Sequence, residues 1–279
     1  MAEQLEEKSD GQLTIKIYPS GQLGSERETV ELLQLGSLAI TKVSAAVMEG
    51  FAEEYRVLGL PYLFRDKAHA FAVYDGEIGR QILLSGEEFW LRGLGFYDAG
   101  SRSFYTKDAP VTGPNDLAGM KVRVMNSNTS INMIKSMGGS PTPIPFGELY
   151  TALQSGVVDA AENNPPSLYL SRHYEVCKYY SIDEHTRIPD VLLIGKLAWD
   201  KLTAQEQAWV QEAADESVVR QHALWEESEQ EAMDALRAAG VKMNYPPKEP
   251  FVQDVQNLYQ AYEARPVLGD LIQRIRAAQ

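Results

Sequence analysis

The sequence predicts an α/β protein built as two lobes, and three observations lead there. Short apolar runs rich in β-branched residues alternate with helical patterns along the chain. A second run, from Met120 to Asn163, repeats strand and helix with connection lengths that suit a parallel sheet covered by helices. Residues 203–239 then form one helical pattern about 55 Å long at 1.5 Å per residue, more than a domain of about 100 residues can cover. Such a helix must kink or bridge two bodies, so two α/β lobes joined by more than one crossover is the architecture expected.

The elements follow in order. "MAEQLEEKSDGQL" is a charged helical pattern, and "LTIKIYP" alternates apolar and polar positions as a strand does. "SERETVELLQLG" is an acid-led helix closed by Gly36, and "SLAITKVS" is the next strand. "DKAHAFAVYDGEIGRQILL" reads as one helix and "LRGLGFYDAGSRSFY" as one strand. After "PNDLAG" come the strand "MKVRVM", the helix "TSINMIKSMGG", the strand "SPTPIP", the helix "FGELYTALQSG" and the strand "VVDAAEN". In the long helix Thr203 and Glu206 make a capping box, apolar residues recur at Trp209, Val210, Ala213, Ala214 and Val218, and Gly240 ends it.

Composition narrows the function classes. With 279 residues, 44% of them hydrophobic, the chain can bury one large core or two moderate ones. A formal net charge of −13 argues against nucleic acid or an anionic membrane as partner, because the field repels phosphate. The single cysteine, Cys177, excludes an intramolecular disulfide and a cysteine-only metal cluster. No apolar run is long enough to span a bilayer, and the start lacks the basic and apolar regions of a signal peptide. Low-complexity tracts and fixed-period repeats are absent too.

One residue stands out against this pattern. Arg123 lies between Val122 and Val124, within a strand and just before a helix that starts near Ser127 to Thr129. In open α/β sheets ligands bind at that edge, and a helix N-terminus adds N–H donors for a carboxylate or phosphate. An edge-strand arginine that reaches solvent, or pairs with a carboxylate such as Glu162, fits the periodicity as well. The pattern leaves both readings open.

A resemblance goes further. From "LTIKIYPSGQLGSERETVELLQLGSLAI" through "LPYLFRD", "GSRSFY", "NDLAGMKVRVMNSN" and "GGSPTPIPFGELYTALQSGVVDAAENN" to "LTAQEQAWVQEAA", nearly the whole chain resembles the solute-binding proteins of TRAP transporters, the DctP type. The resemblance implies a periplasmic-binding-protein-like fold of type II, with two lobes, a cleft between them and a long helix across both. It divides the chain into residues 1–100 plus 190–230 and residues 101–189 plus 231–279, hinged near residues 100 and 189. It implies a monomer without cofactor or metal that closes on a small organic acid and delivers it to a sodium-driven membrane permease, without entering the membrane itself.

The same resemblance implies the site. Arg123 clamps the ligand carboxylate, Arg102 in "GSRSF" is a second basic contact, Phe146 lies beside the ligand, and Asn163 hydrogen-bonds it. Glu162 and His185 form a shell that neutralises and orients Arg123, Asn126 completes the network, and Ser44 is the contact from the first lobe. Bland readings stand beside these: a surface arginine for Arg102, core for Phe146 and His185, and turn chemistry for Asn163. The family also implies an export signal and a first strand ahead of the helix at Met1, neither of which is present in the sequence; periplasmic location rests on the resemblance alone.

The rival class is an enzyme using Asp183, Glu184, His185 and Glu162 as acid-base groups. Against it, the chain has four histidines and none of the His-Glu-x-x-His, Gly-x-Ser-x-Gly or P-loop motifs. "RGLGFYDAG" misses the dinucleotide fingerprint, its third glycine falling two residues late. A ligand-sensing module would use the same cleft. For the ligand, the segment from Ala161 to Gly195, with paired Asn163 and Asn164 and His185, most resembles the sugar-acid receptors of the family, and amides with a second arginine suit a hydroxyl-rich ring, where each buried hydroxyl needs a partner. The resemblance thus implies a hexuronate such as glucuronate or galacturonate ahead of a C4-dicarboxylate or sialic acid.

Overall fold

The computed structural model describes all 279 residues, and its strands divide into two sheets. In chain order they are β1 Ile40–Ser44, β2 Leu91–Tyr97, β3 Arg102–Thr106, β4 Lys121–Val124, β5 Ser140–Pro143, β6 Ala160–Asn163, β7 Tyr179–Thr186, β8 Asp190–Gly195 and β9 Lys242–Asn244. One sheet has the order β1-β8-β2, all antiparallel. The other runs β5-β4-β6-β3-β7-β9. The expected parallel arrangement is found where the βαβα pattern predicts it, between β4 and its neighbours β5 and β6. Beyond β6, strand β3 enters antiparallel between β6 and β7.

The chain passes between the sheets through residues 98–101, linking β2 to β3, and 187–189, linking β7 to β8. The helix Ala204–Ala238 is the third connection. Its 35 residues span about 52 Å, and Thr203 with Glu206 forms the capping box read from the sequence. Val210, Ala213 and Ala214 pack with Leu94 and Ile194 of the first sheet, while Leu236 packs with Tyr105 and Cys177 of the second lobe. One helix therefore serves both lobes.

Three elements differ from the sequence reading. Residues 13–19 are extended but unpaired: Leu13 and Ile15 rest on the core, no strand lies alongside, and Ile17 and Tyr18 are exposed. Alternation supplies a buried face but not a ladder partner. The single helix expected over residues 66–84 is two, Lys67–Tyr74 and Glu77–Leu84, broken at Asp75 and Gly76. The turn is tight: a Cβ at Gly79 would stand 2.0 Å from the Tyr74 carbonyl oxygen. The single strand expected over residues 91–105 is also two, one in each sheet. Gly100 adopts φ +64° between them, and the Gln221 side chain holds Asp98 by its backbone N–H and C=O, both at 2.8 Å.

A continuous apolar cluster of 41 buried residues draws on strands of both sheets, among them Val43, Leu91 and Val191 of the first and Phe104, Val122 and Ala160 of the second. It brings Tyr55 and Leu58, in the turn Glu53–Gly59, against Tyr262 and Ile272 of the C-terminal helices and Met133 of the helix that follows β4.

Candidate functional site

Arg123 sits on β4 beside Thr142 of β5 and Ala161 of β6, and it is 2% exposed. Its Nε donates to the Ile144 carbonyl at 2.8 Å, which fixes the guanidinium plane, and its Cζ lies 5.8 Å from the centre of the Phe146 ring. One terminal nitrogen is buried without a partner. The groups in contact with it are aromatic and uncharged, and the charges of Glu162, Arg102 and Glu26 reach it only through space. The Tyr105 hydroxyl meets His173 Nδ1 at 3.0 Å, and burial together with the Arg123 charge pushes His173 down to about 4, so its ring is uncharged at neutral pH. Burial pulls the Arg123 pKa below its ordinary value. A buried cation without an anion is costly, and this guanidinium is one.

Arg102 on β3 is the opposite case. Its Nε donates to Glu162 Oε2 at 2.6 Å, one terminal nitrogen to Glu162 Oε1 at 2.9 Å and to the Glu162 carbonyl at 2.8 Å, and the other to Asn163 Oδ1 at 2.8 Å. Glu162 also meets His185 Nε2 at 3.3 Å, and His185 Nδ1 meets Asp183 at 2.9 Å. Burial alone would raise the Glu162 pKa, but Arg102 and His185 outweigh it and bring it to about 2. Burial would likewise lower His185, yet Asp183 and Glu162 hold it up at about 9. Two cations and two carboxylates thus form a closed, neutral tetrad.

This corrects one expectation. Glu162 and His185, expected around Arg123, make their hydrogen bonds in the Arg102 network instead, and Glu162 acts on Arg123 only through its charge. Sheet register gives the reason: Arg123 lies beside Ala161, and successive residues of a strand face opposite sides, so Glu162 turns to the face where Phe104 is its cross-strand neighbour.

The structure places the other candidates as follows. Asn163 is buried; its Oδ1 accepts from Arg102 and from Asn164 N–H, leaving Nδ2 as its free donor. Phe146 is 40% exposed and meets His173 edge-on at 5.5 Å, so it is a rim aromatic rather than core. Asn126, just past β4, is exposed and makes no side-chain hydrogen bond within the chain. Ser44 ends β1, and its N–H donates to Glu26 Oε1 at 3.0 Å.

The helix N-terminus expected to receive the ligand is already occupied. Glu49, 4% exposed, accepts from Ser127 Oγ at 2.9 Å and from Thr129 N–H at 3.2 Å at the start of helix Asn128–Ser136. Burial raises the Glu49 pKa to about 7, against those hydrogen bonds and the nearby Arg56. Sequence reasoning also missed Glu26, Lys42 and Asp190. Lys42 pairs with Asp190, and the charges of Glu26 and Arg123 act on one another from opposite lobes. Burial, then Asp190, raises Glu26. The acid-led start of "SERE" carries no mark that separates this glutamate from a helix cap.

Residues 1–265 match the DctP model, bacterial extracellular solute-binding protein family 7. The chain belongs to that family. A DctP-family protein is a solute receptor of a TRAP transporter rather than a catalyst, which removes the acid-base reading of Asp183, Glu184 and His185. The chain is 42% identical to a TRAP periplasmic solute-binding protein of Xanthobacter autotrophicus solved with bound β-D-galacturonate, at a TM-score of 0.97 over 100% of this chain and 93% of that one. It is 38% identical to one from Roseobacter denitrificans with bound β-D-glucuronate, again at 0.97 over 100% and 93%. It is also 41% identical to the uncharacterised protein YiiZ of Salmonella typhimurium, over 100% of this chain and 86% of that protein. No helix of this DctP-family chain is long and apolar enough to cross a membrane.

Proposed function

We propose that this receptor binds a hexuronate, galacturonate or glucuronate, with its carboxylate on Arg123, and hands it to a sodium-coupled permease on the periplasmic side. One observation carries the reading: of two buried arginines, Arg102 has every guanidinium nitrogen and four of its five N–H donors bonded to the protein, whereas Arg123 has a buried nitrogen without a partner. A planar donor fork held by Ile144 suits a carboxylate bidentately. Phe146 then lies against the sugar ring, Asn163 Nδ2 and Asn126 serve hydroxyls from the second lobe, and Glu26, Lys42 and Ser44 do so from the first. A dicarboxylate would ask for a second free cation, and Arg102 and Lys42 are both already paired. The uronates bound in the neighbouring structures support the same choice.

In this reading the receptor works as a monomer, and the lobes close by hinging at residues 98–101 and 187–189. A thermal-shift panel of organic acids tests the ligand class. A ligand at about 100 times its dissociation constant adds about 2.7 kcal/mol of stability. A clear upward shift with D-galacturonate or D-glucuronate is expected; shifts with succinate, malate or sialic acid and none with any uronate would overturn the assignment.

A further inference from the structure

Both nitrogens of a fully buried ring lie against carboxylates in this receptor. His185 is 0% exposed; Nδ1 is 2.9 Å from Asp183 Oδ2 and Nε2 is 3.3 Å from Glu162 Oε2. A neutral imidazole carries one N–H and would aim a lone pair at one of these oxygens, whereas an imidazolium donates to both. The groups facing the ring are few. Strand β6 supplies Glu162, β7 supplies Asp183, and β3 supplies Arg102, which shares Glu162, together with the Phe104 ring at 4.5 Å. The segment between β1 and β2 supplies Tyr62, whose hydroxyl donates to Asp183 Oδ2 at 3.1 Å and whose N–H donates to the His185 carbonyl at 2.7 Å.

We infer that Asp183 is a positioning residue for ligand binding: it holds His185 as a cation against Glu162, so that Arg102 and Asn163 keep the arrangement in which Arg123 alone is open to an anion. The inference rests on the carboxylate site proposed above. Asp183 touches no part of that site directly. It acts by supplying the second negative charge of the tetrad; without it the ring shares one carboxylate with Arg102 and loses its proton nearer to the ordinary histidine range. A neutral ring leaves Glu162 bound to Arg102 alone, and Asn163, hydrogen-bonded to the same guanidinium, loses its fixed orientation. Tyr62 reaches Asp183 from the connection between two first-sheet strands, so the device also ties the two lobes.

The test compares wild type with Asp183→Asn by calorimetric titration with D-galacturonate at pH 6, 7 and 8, beside nitrogen-15 spectra of the histidine rings without ligand. Wild-type affinity should stay flat over that range, with both His185 nitrogens protonated throughout. Asp183→Asn should bind within about threefold of wild type at pH 6 and at least about tenfold more weakly at pH 8, with the ring titrating in between. Equal affinity of variant and wild type at all three pH values would overturn the inference. So would a singly protonated His185 in wild type at pH 7, a reading that needs no variant and decides the matter if Asp183→Asn does not fold. Failure of wild type to bind any uronate would instead defeat the ligand assignment, and the ring spectra would still decide the state of His185.

Discussion

Arg102 and Arg123 occupy strands separated only by β6, both are at least 95% buried, and they are electrostatic opposites. Around Arg102 the protein supplies a carboxylate, a backbone carbonyl and an amide oxygen; around Arg123 it supplies one carbonyl and aromatic rings. The difference shows that burial of an arginine says little about its role until its donors are traced. A guanidinium with every nitrogen bonded is architecture, and one with a free donor edge is, in the function proposed above, where the ligand carboxylate binds. The second costs stability in the free protein and returns it when an anion arrives.

The largest test of this contrast exchanges the roles of binding and stability. Hydrogen bonds to charged groups contribute roughly 1.5–3 kcal/mol each, so Arg123→Ala, which removes two, should weaken D-galacturonate binding by a factor on the order of 10² to 10⁴. Its melting temperature without ligand should hold or rise, because a buried unpaired cation has gone. Arg102→Ala should instead lose about 3–5 kcal/mol of stability, since Glu162 and Asn163 lose their partner. Titration and melting of both variants check this; a large loss of stability in Arg123→Ala, with little change in binding, would merge the two arginines into one structural class.

How far the sequence reveals this contrast follows from the range of the interactions. Local chemistry is legible: the Thr203 and Glu206 capping box, the β4 strand around Arg123, and the repeated strand and helix that put β5 and β6 beside it. The partner of Glu162 is not, because it depends on which face of β6 meets β3, and β3 is joined to β6 across more than fifty residues of chain. The Asp98–Ser101 passage illustrates the same limit. Its apolar run continues through the crossover, and only the tertiary contact with Gln221 shows that the two halves belong to different sheets. Glu49 at the helix N-terminus is non-local in the same way, eighty residues from Thr129.

Glu49 extends the comparison from arginines to carboxylates. Glu162 is held at about 2 by two cations, whereas Glu49, whose hydrogen-bond partners Ser127 and Thr129 are uncharged, is raised to about 7 by burial. A carboxyl whose pKa is higher in the folded state binds more protons there, so its contribution to stability is complete below pH 4.5 and is lost as pH rises through 7. That loss is on the order of 3 kcal/mol. Denaturant melts at pH 5, 6, 7 and 8 should therefore show wild type weakening relative to Glu49→Gln across that window. Parallel curves for the two proteins would mean that Glu49 is ionised throughout and that the helix N-terminus compensates its burial.

The smallest effect, and the sharpest test of what Arg123 does, comes from keeping its charge. Arg123→Lys retains a cation but loses the planar fork, and with it the Nε anchor on Ile144 that sets the angle of the donor edge. An ammonium can sit near a carboxylate without meeting both oxygens in plane, so one charge-assisted hydrogen bond is lost and the field of the charge stays. Losing one such bond corresponds to at least about tenfold in affinity. Stability without ligand should change little, because the cavity, the neutral rings of Tyr105 and His173 and the absent anion are common to both proteins. Titration with D-galacturonate beside melting curves separates the outcomes. Near-normal affinity in Arg123→Lys would mean that Arg123 acts as a point charge, and the contrast between its open donor edge and the engaged nitrogens of Arg102 would lose its functional meaning.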